Sequence, residues 1–178
     1  MAAATDVSPP SGSGGRSSPH AGKSFWIRDF GDYSPNCDLD TDLGCDILVI
    51  GGGIAGLSSA WHAAKAGLGK VVLIESEIIG FGASGRAAGW IMPQFGMDQL
   101  SIRKKYGVER SRAAFAYCRR ATAYTREIIE QNGIESDYRT PGLMRVAFDD
   151  RWVDDLHDLY STYQDIGVDT VSWLTASD

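Results

Sequence analysis

The stretch Asp46–Glu75, DILVIGGGIAGLSSAWHAAKAGLGKVVLIE, decides the fold of this chain. It opens with the apolar run ILVI at 47–50, passes directly into a G-x-G-x-x-G spacing, and closes with a second run, VVLI at 71–74. Short β-branched runs are typical of buried parallel strands, and this glycine spacing between a strand and a helix is the fingerprint of a dinucleotide-binding βαβ unit. The segment therefore predicts an α/β fold, of the Rossmann type, that binds an adenine dinucleotide.

The glycines of this spacing have separate physical tasks in such a unit. Gly51 permits the tight strand-to-helix turn, Gly53 leaves room for a pyrophosphate against the backbone, and Gly56 lets the helix pack close to the strand. The first helical amides, those of Ile54 and Ala55, have no intrahelical acceptor, and the helix dipole adds partial positive charge there. We predict that these five residues bind the pyrophosphate.

The second run ends in an acid that bears on the choice of cofactor. Glu75 lies about 20 residues beyond the last glycine, where a carboxylate accepts hydrogen bonds from a ribose diol. A 2′-phosphate would meet like charge there, so NADP is disfavoured. The helix between the two runs is predicted to stop at Gly67 and to turn one apolar face to the sheet, formed by Ile54, Leu57, Trp61 and Ala64.

The loop Gly80–Pro93, GFGASGRAAGWIMP, is the second informative segment. An NAD dehydrogenase would continue here with another helix and a third strand, whereas this chain enters a run of small residues. Small residues suit the close approach of backbone to a large flat ligand, and Ser84 and Arg86 supply hydroxyl and guanidinium donors for phosphate. The loop therefore disfavours an NAD-dependent dehydrogenase, which stays open as an alternative.

Three segments, DILVIGGGIAGLSSAWHAAKAG, KVVLIE and GFGASGRAAG, resemble the D-amino-acid-oxidase-like superfamily of FAD-dependent amine and amino-acid oxidoreductases. The γ-glutamylputrescine-oxidase-like members are also similar in an aromatic segment before the first strand, here Ser24-Phe25-Trp26. The resemblance implies that the three glycines bind the FAD pyrophosphate, that Glu75 binds the adenosine ribose, and that the remaining site residues form the loop running toward the flavin: Ser84, Gly85 and Arg86.

The resemblance also sets expectations about the flavin and the reaction. Relatives with covalent flavin have a histidine where this chain has Arg86, which implies noncovalent FAD. The expected reaction moves a hydride from the amine-bearing carbon of a small-molecule amine or amino acid to flavin N5, and the electrons then pass to oxygen or another acceptor. The chain departs from the common pattern at Ala87-Ala88-Gly89, where look-alikes often have Asn-Gly-Gly. No catalytic side chain is identified.

The domain organisation predicted from the sequence has four parts. Residues 1–24 form a disordered tail, 25–45 an aromatic arm with Phe25, Trp26, Phe30 and Tyr33, 46–133 a partial FAD-binding domain, and 134–178 the start of an α+β substrate domain. Family members are roughly twice this length or more, so we expect an N-terminal portion that does not turn over an amine alone. Within a different functional class, a noncatalytic nucleotide-binding module stays open as a further alternative.

Helices and strands are predicted beyond the loop as well. Helices are expected from Met97 to Tyr106, from Val108 to Gln131, and around Trp152–Tyr163 with an end at Gly167. Tyr117 and Tyr124 are expected to pack in the core. Strands are expected at Arg139–Phe148, with a turn at Pro141-Gly142, and at Val171–Leu174.

Composition excludes several classes of function. The net charge of −6 argues against a general nucleic-acid or anionic-membrane surface, and no apolar run approaches the ~20 residues of a membrane span. Cys37, Cys45 and Cys118 form no metal or paired-disulfide spacing, which favours a reducing, cytoplasmic location over organellar targeting. The three histidines, His20, His62 and His157, have no zinc-ligand spacing. The sequence also lacks a nucleophile elbow around Ser84 and a Walker-A lysine.

Overall fold

The computed structural model describes residues 24–30 and 35–175, and these fall into two compact units that divide between Gly89 and Trp90. Residues 1–23 of the predicted tail, including His20, and Tyr33 of the predicted arm lie outside the described residues, whereas Ser24 is described. The first unit contains α1 (Phe25–Phe30), β1 (Ile47–Ile50), α2 (Ile54–Lys65), β2 (Val71–Ile74) and a 3₁₀ turn (Ala83–Arg86). The second contains α3 (Gln99–Tyr106), α4 (Val108–Gln131) and α5 (Arg151–Asp165).

The sheet of the first unit is the predicted βαβ unit. β1 and β2 pair in parallel, with Ile47 opposite Val71 and Ile50 opposite Ile74, and α2 connects them and packs on both strands. α2 ends at Lys65, and Gly67 follows with a positive φ of 68° that suits a glycine after a helix. Both strands and the intervening helix are confirmed where the sequence predicted them.

Two expectations about burial in this unit are wrong. β1 is not buried on both faces, because the side chains of Leu48 and Ile50 are 52% and 77% exposed. α2 covers one face of the sheet, and no other element among the described residues covers the opposite face. Of the predicted apolar face of α2, Ile54, Leu57 and Ala64 are exposed and only Trp61 is partly buried. The other partly buried residues of this helix are Gly56, Ala60, His62 and Ala63.

The second unit is built from helices. Its core contains Phe115 from α4 together with Ile166 and Val168, which follow α5. α4 has the predicted bounds. α3 begins two residues later than predicted, because Asp98 is in extended backbone and accepts a hydrogen bond of 2.9 Å from the Ser101 amide as a helix N-cap.

Other expectations for this unit are wrong. Residues 139–148 and 171–174 form no strand, and the side chains of Leu143, Met144 and Val146 are more than half exposed. A strand needs a neighbour for its backbone hydrogen bonds, and none of the described residues pairs with these segments. Tyr117 and Tyr124 are 57% and 45% exposed rather than in the core, because α4 buries the stripe that contains Phe115 and Cys118.

None of the helices that the structure describes combines the length and the apolar character needed to cross a bilayer.

Candidate functional site

The turn between β1 and α2 has the tight geometry that the glycine spacing predicts. Gly51 has a φ of +105°, a conformation that strains other residues, and its amide donates to the Ile74 carbonyl over 2.8 Å. A Cβ on Gly56 would lie only 1.9 Å from the carbonyl oxygen of Gly51. The structural roles predicted for Gly51 in the turn and for Gly56 in close packing are therefore confirmed.

The N-terminus of α2 presents backbone amides next to this turn. The first intrahelical hydrogen bond runs from the Leu57 amide to the Gly53 carbonyl, over 2.9 Å. The amides of Ala55 and Gly56 precede it and therefore have no intrahelical acceptor. The amide of Ile54 instead donates to the Ser84 hydroxyl, over 3.0 Å. Free amides and the helix dipole together favour an anion at this end of α2.

The small-residue loop lies against the same end of α2. Besides the bond from Ile54 to Ser84, the amide of Gly80 donates to the carbonyl of Gly52 over 3.0 Å. A Cβ on Gly53 would lie 3.1 Å from the Ser84 hydroxyl oxygen. The structure thus brings together Gly53, Ile54 and Ser84, which the sequence placed in two separate motifs.

Glu75 reaches back from the end of β2 to the glycine turn. Its Oε2 accepts from the Gly52 amide over 2.6 Å, and its Oε1 accepts from the Glu77 amide over 3.1 Å and the Ser76 hydroxyl over 3.3 Å. The bond from Gly52 is the main reason that the pKa of Glu75 is lowered, with smaller contributions from Glu77 and Ser76. The carboxylate is therefore held in its charged form beside the turn.

Gly52 is a site residue that the sequence reasoning missed. The G-x-G-x-x-G spacing treats this position as variable, yet its amide fixes Glu75, and a Cβ there would lie 2.5 Å from Cδ1 of Ile79. The signal was present in the run of three consecutive glycines at 51–53. Only the fold shows that the middle one contacts the acid.

Arg86 and Gly85 shape the loop itself. The Arg86 guanidinium donates to the carbonyl of Phe81 and, over 2.9 Å, to the carbonyl of Gly82, and it lies 5.0 Å from the centre of the Phe81 ring. A Cβ on Gly85 would lie 2.0 Å from the Gly80 carbonyl oxygen, so the tight 3₁₀ turn requires glycine. A phosphate contact by Arg86 stays a prediction, since its guanidinium here closes its own loop.

Ser24 and Trp26, at the start of the predicted arm, contact this loop. The Ser24 hydroxyl donates to the Gly85 carbonyl, and the Trp26 indole Nε1 donates to the Ala87 carbonyl over 2.7 Å. The Trp26 ring lies over Gly89. Local sequence patterns do not predict these hydrogen bonds, because 61 residues separate each donor from its acceptor.

Several known proteins are similar to this chain. The family model for FAD dependent oxidoreductases, DAO, matches residues 46–178. γ-Glutamylputrescine oxidoreductase of Escherichia coli K12 is 34% identical over 154 residues, 86% of this chain and 36% of that protein. Glycine oxidase of Geobacillus kaustophilus is 30% identical over 130 residues, 73% of this chain and 32% of that protein.

A third relative extends the set of substrates in these names. 4-Methylaminobutanoate oxidase (formaldehyde-forming) of Paenarthrobacter nicotinovorans is 30% identical over 128 residues, 72% of this chain and 14% of that protein. The chain thus spans about a third or less of the length of these curated relatives. No solved structure matches the chain.

Proposed function

The chain belongs to the DAO family of FAD-dependent oxidoreductases, and we propose on this basis that it forms the FAD-binding part of an enzyme that oxidises an amine or an amino acid. One observation carries the proposal. The free amides of Ala55 and Gly56 lie at the N-terminus of α2, where the Ser84 hydroxyl accepts from the Ile54 amide and the glycine turn at 51–53 has no side chains of its own. This arrangement suits the pyrophosphate of a dinucleotide in a Rossmann-type unit.

Each predicted site residue has a specific part in this proposal. The amides at the start of α2 bind the pyrophosphate, and Gly53 keeps the approach open. Glu75 binds the adenosine ribose, because three hydrogen bonds leave a carboxylate with about one acceptor position to spare. Gly85 and Arg86 shape the loop that carries Ser84, and through it they orient the flavin end of the ligand.

The substrate class follows from the relatives together with the cofactor. The names of the three relatives point to substrates that contain an amine nitrogen, and we extend this class to the present chain. Bound FAD supplies the redox chemistry, by accepting a hydride from the amine-bearing carbon of the substrate. The residues of this chain bind the cofactor, orient it and hold Glu75 charged. We propose oxygen or another acceptor as the final recipient of the electrons.

We propose that FAD is held noncovalently, because Arg86 occupies the loop position where a covalent histidine would be needed. We also propose a cytoplasmic location, since Cys37 and Cys45 are free and exposed, which suits a reducing compartment.

A competition experiment tests the cofactor. A version of the protein extended to the length of the relatives is mixed with equal concentrations of FAD, FMN, NAD and NADP, free ligand is removed by gel filtration, and the denatured supernatant is analysed by mass spectrometry. We expect FAD in the supernatant, and none from the control variant Gly53→Val. Recovery of NAD or FMN instead of FAD would contradict the proposal, and flavin retained on the precipitate would contradict noncovalent binding.

A second experiment tests the reaction. Residues 1–178 are compared with a version extended to the length of the relatives, by following the bleaching of the flavin absorbance when amines and amino acids are added without oxygen. We expect the longer protein to bleach. We expect the shorter chain to bind FAD weakly, to self-associate and not to bleach, because catalysis needs the flavin ring enclosed beside a positioned substrate. Equal rates for a monomeric short chain would contradict this expectation.

A further inference from the structure

Trp26 contacts the small-residue loop at Ala87 and Gly89. We propose that Trp26 is a positioning residue, which holds the Gly80–Gly89 loop so that Ser84 stays at the N-terminus of α2 and FAD binds tightly. The part of this inference that concerns FAD rests on the proposed function. The effect of Trp26 on the loop is independent of any cofactor.

The first argument is the pattern of contacts between the arm and the loop. Ser24 donates to the carbonyl of Gly85, Trp26 donates to the carbonyl of Ala87 over 2.7 Å, and the Trp26 ring lies over Gly89. The contacts fall on alternate residues of the loop. Ser24 and Trp26 therefore contact the loop at three positions between Gly85 and Gly89.

The last residues of the loop have small side chains, whereas its first part is held by Arg86, by the Gly80 amide and by Ser84. Gly85, Ala87, Ala88 and Gly89 have at most a methyl group as side chain, and the last three are exposed. Backbone of this composition is flexible unless something outside the segment orders it. The Trp26 indole supplies both a hydrogen bond and an apolar surface, and only the absence of a side chain at Gly89 lets the ring approach. A Cβ at Gly89 would lie 2.9 Å from Cζ2 of Trp26.

The contacts of the arm lie next to the proposed cofactor site in the chain. Gly85, which accepts from Ser24, directly follows Ser84 in the chain, and the Ser84 hydroxyl accepts from the Ile54 amide over 3.0 Å. The loop is thus held between the arm on one side and α2 on the other. Releasing the arm frees one side, and the Ser84 hydroxyl then loses part of what fixes its position.

Hydrogen exchange of the cofactor-free chain tests the inference at the loop. Trp26→Ala should raise exchange of the amides in residues 80–89 several-fold, while exchange in β1 and α2 stays close to wild type. Trp26→Phe, which keeps a ring but loses the N–H, should have an intermediate effect. Trp152→Ala is the matched control, because Trp152 is an exposed tryptophan of the second unit, at 55% exposure against 43% for Trp26.

Titration of FAD into the same variants tests the consequence for the cofactor. The lost hydrogen bond in Trp26→Phe should weaken FAD binding about 2- to 12-fold, and Trp26→Ala should weaken it further. Trp152→Ala should bind FAD like the wild type. A higher exchange in 80–89 with a weaker affinity for FAD supports the proposal.

The possible failures are distinguishable. Unchanged exchange in 80–89 for Trp26→Ala would overturn the inference, whatever FAD does. Increased exchange with unchanged FAD affinity would overturn the link from the loop to the cofactor. Exchange raised equally throughout the first unit, in Trp26→Phe as well, would make Trp26 a stability residue and also overturn the proposal. If the wild-type chain bound no FAD while exchange in 80–89 still rose, the proposed function would fail and the positioning of the loop by Trp26 would stand.

Discussion

The hydroxyl oxygen of Ser84 lies 3.0 Å from the backbone nitrogen of Ile54 and accepts a hydrogen bond from the first amide of α2. The residue at the N-cap position of α2 is Gly53, which has no side chain to make this bond. Ser84, which is 30 positions after Ile54, therefore caps the helix. The requirement for open space at Gly53 and the requirement for a helix cap are met by two different segments.

We predict that Ser84→Ala destabilises the chain through the loss of this cap. Removal of an N-cap hydroxyl costs about 0.5–2 kcal/mol, measured here as the free energy of unfolding in urea without cofactor. Ser59→Ala is the control, since the Ser59 hydroxyl is exposed and bonds to the Ala55 carbonyl within α2 itself. The control should stay within about 0.5 kcal/mol of wild type. Equal effects from the two substitutions would contradict the capping role.

We predict that Gly56→Ala is more damaging than an alanine at an open glycine. The new Cβ would lie 1.9 Å from the Gly51 carbonyl oxygen, and a backbone atom cannot move aside without shifting α2 away from β1. The cost should be about 1–3 kcal/mol or more in unfolding free energy. Gly44→Ala is the control, because nothing lies within 4 Å of its Cβ position. Similar stability of both variants would show that the helix does not pack as closely as described.

We predict that Gly53→Val abolishes FAD binding and that Glu75→Ala only weakens it. The branched side chain fills the space proposed for the pyrophosphate, whereas removal of Glu75 loses hydrogen bonds to a ribose. Hydrogen bonds to a charged group contribute about 1.5–3 kcal/mol, or roughly 10- to 150-fold in affinity. Titration of FAD into each variant, with unfolding measured alongside, checks the order. Unchanged affinity of the glycine variant would refute the site.

We predict that Glu75 makes the stability of the chain depend on pH in the acid range. The pKa of Glu75 is lowered in the folded chain, mainly by the hydrogen bond from the Gly52 amide. The charged carboxylate therefore stabilises the folded chain at pH values above the ordinary carboxyl pKa. This contribution is lost as the pH falls through the folded pKa. Glu75→Gln should therefore lose less unfolding free energy than wild type between about pH 6 and about pH 3, on either side of the ordinary value of ~4.3. Glu135→Gln, an exposed control, should follow the wild-type curve.

We predict that the hydrogen bonds between Gln99 of α3 and Ser111 of α4 stabilise the second unit. Gln99 is buried, and its Nε2 donates to the carbonyl and the hydroxyl of Ser111, over 2.6 and 2.7 Å. Gln99→Leu would remove the donor that the buried Ser111 hydroxyl accepts from, at a cost of about 1–3 kcal/mol in unfolding free energy. Gln131→Leu removes an exposed glutamine of α4 as a control and should change stability by less than about 0.5 kcal/mol. An equally stable Gln99→Leu variant would show that the pair contributes nothing.

The sequence by itself determined the elements that depend on neighbouring residues. The runs at 47–50 and 71–74 and the glycines between them predicted β1, α2 and β2. α4 has the predicted bounds, because apolar periodicity and the Asn132-Gly133 end signal act within a few residues. The conformation of Gly51 and the packing role of Gly56 followed from the same local spacing.

Tertiary structure decided everything that needed a partner distant in sequence. The segment 139–148 has strand-like residues yet forms no strand among the described residues, because strand hydrogen bonds come from a neighbour. Periodicity also predicted the wrong face of α2 as covered, because burial depends on which elements pack against the helix. The bonds from Ile54 to Ser84 and from Trp26 to Ala87 join residues 30 and 61 positions apart. Such contacts depend on where the folded chain places two distant segments. The local spacing of residues does not determine how close these segments come in space.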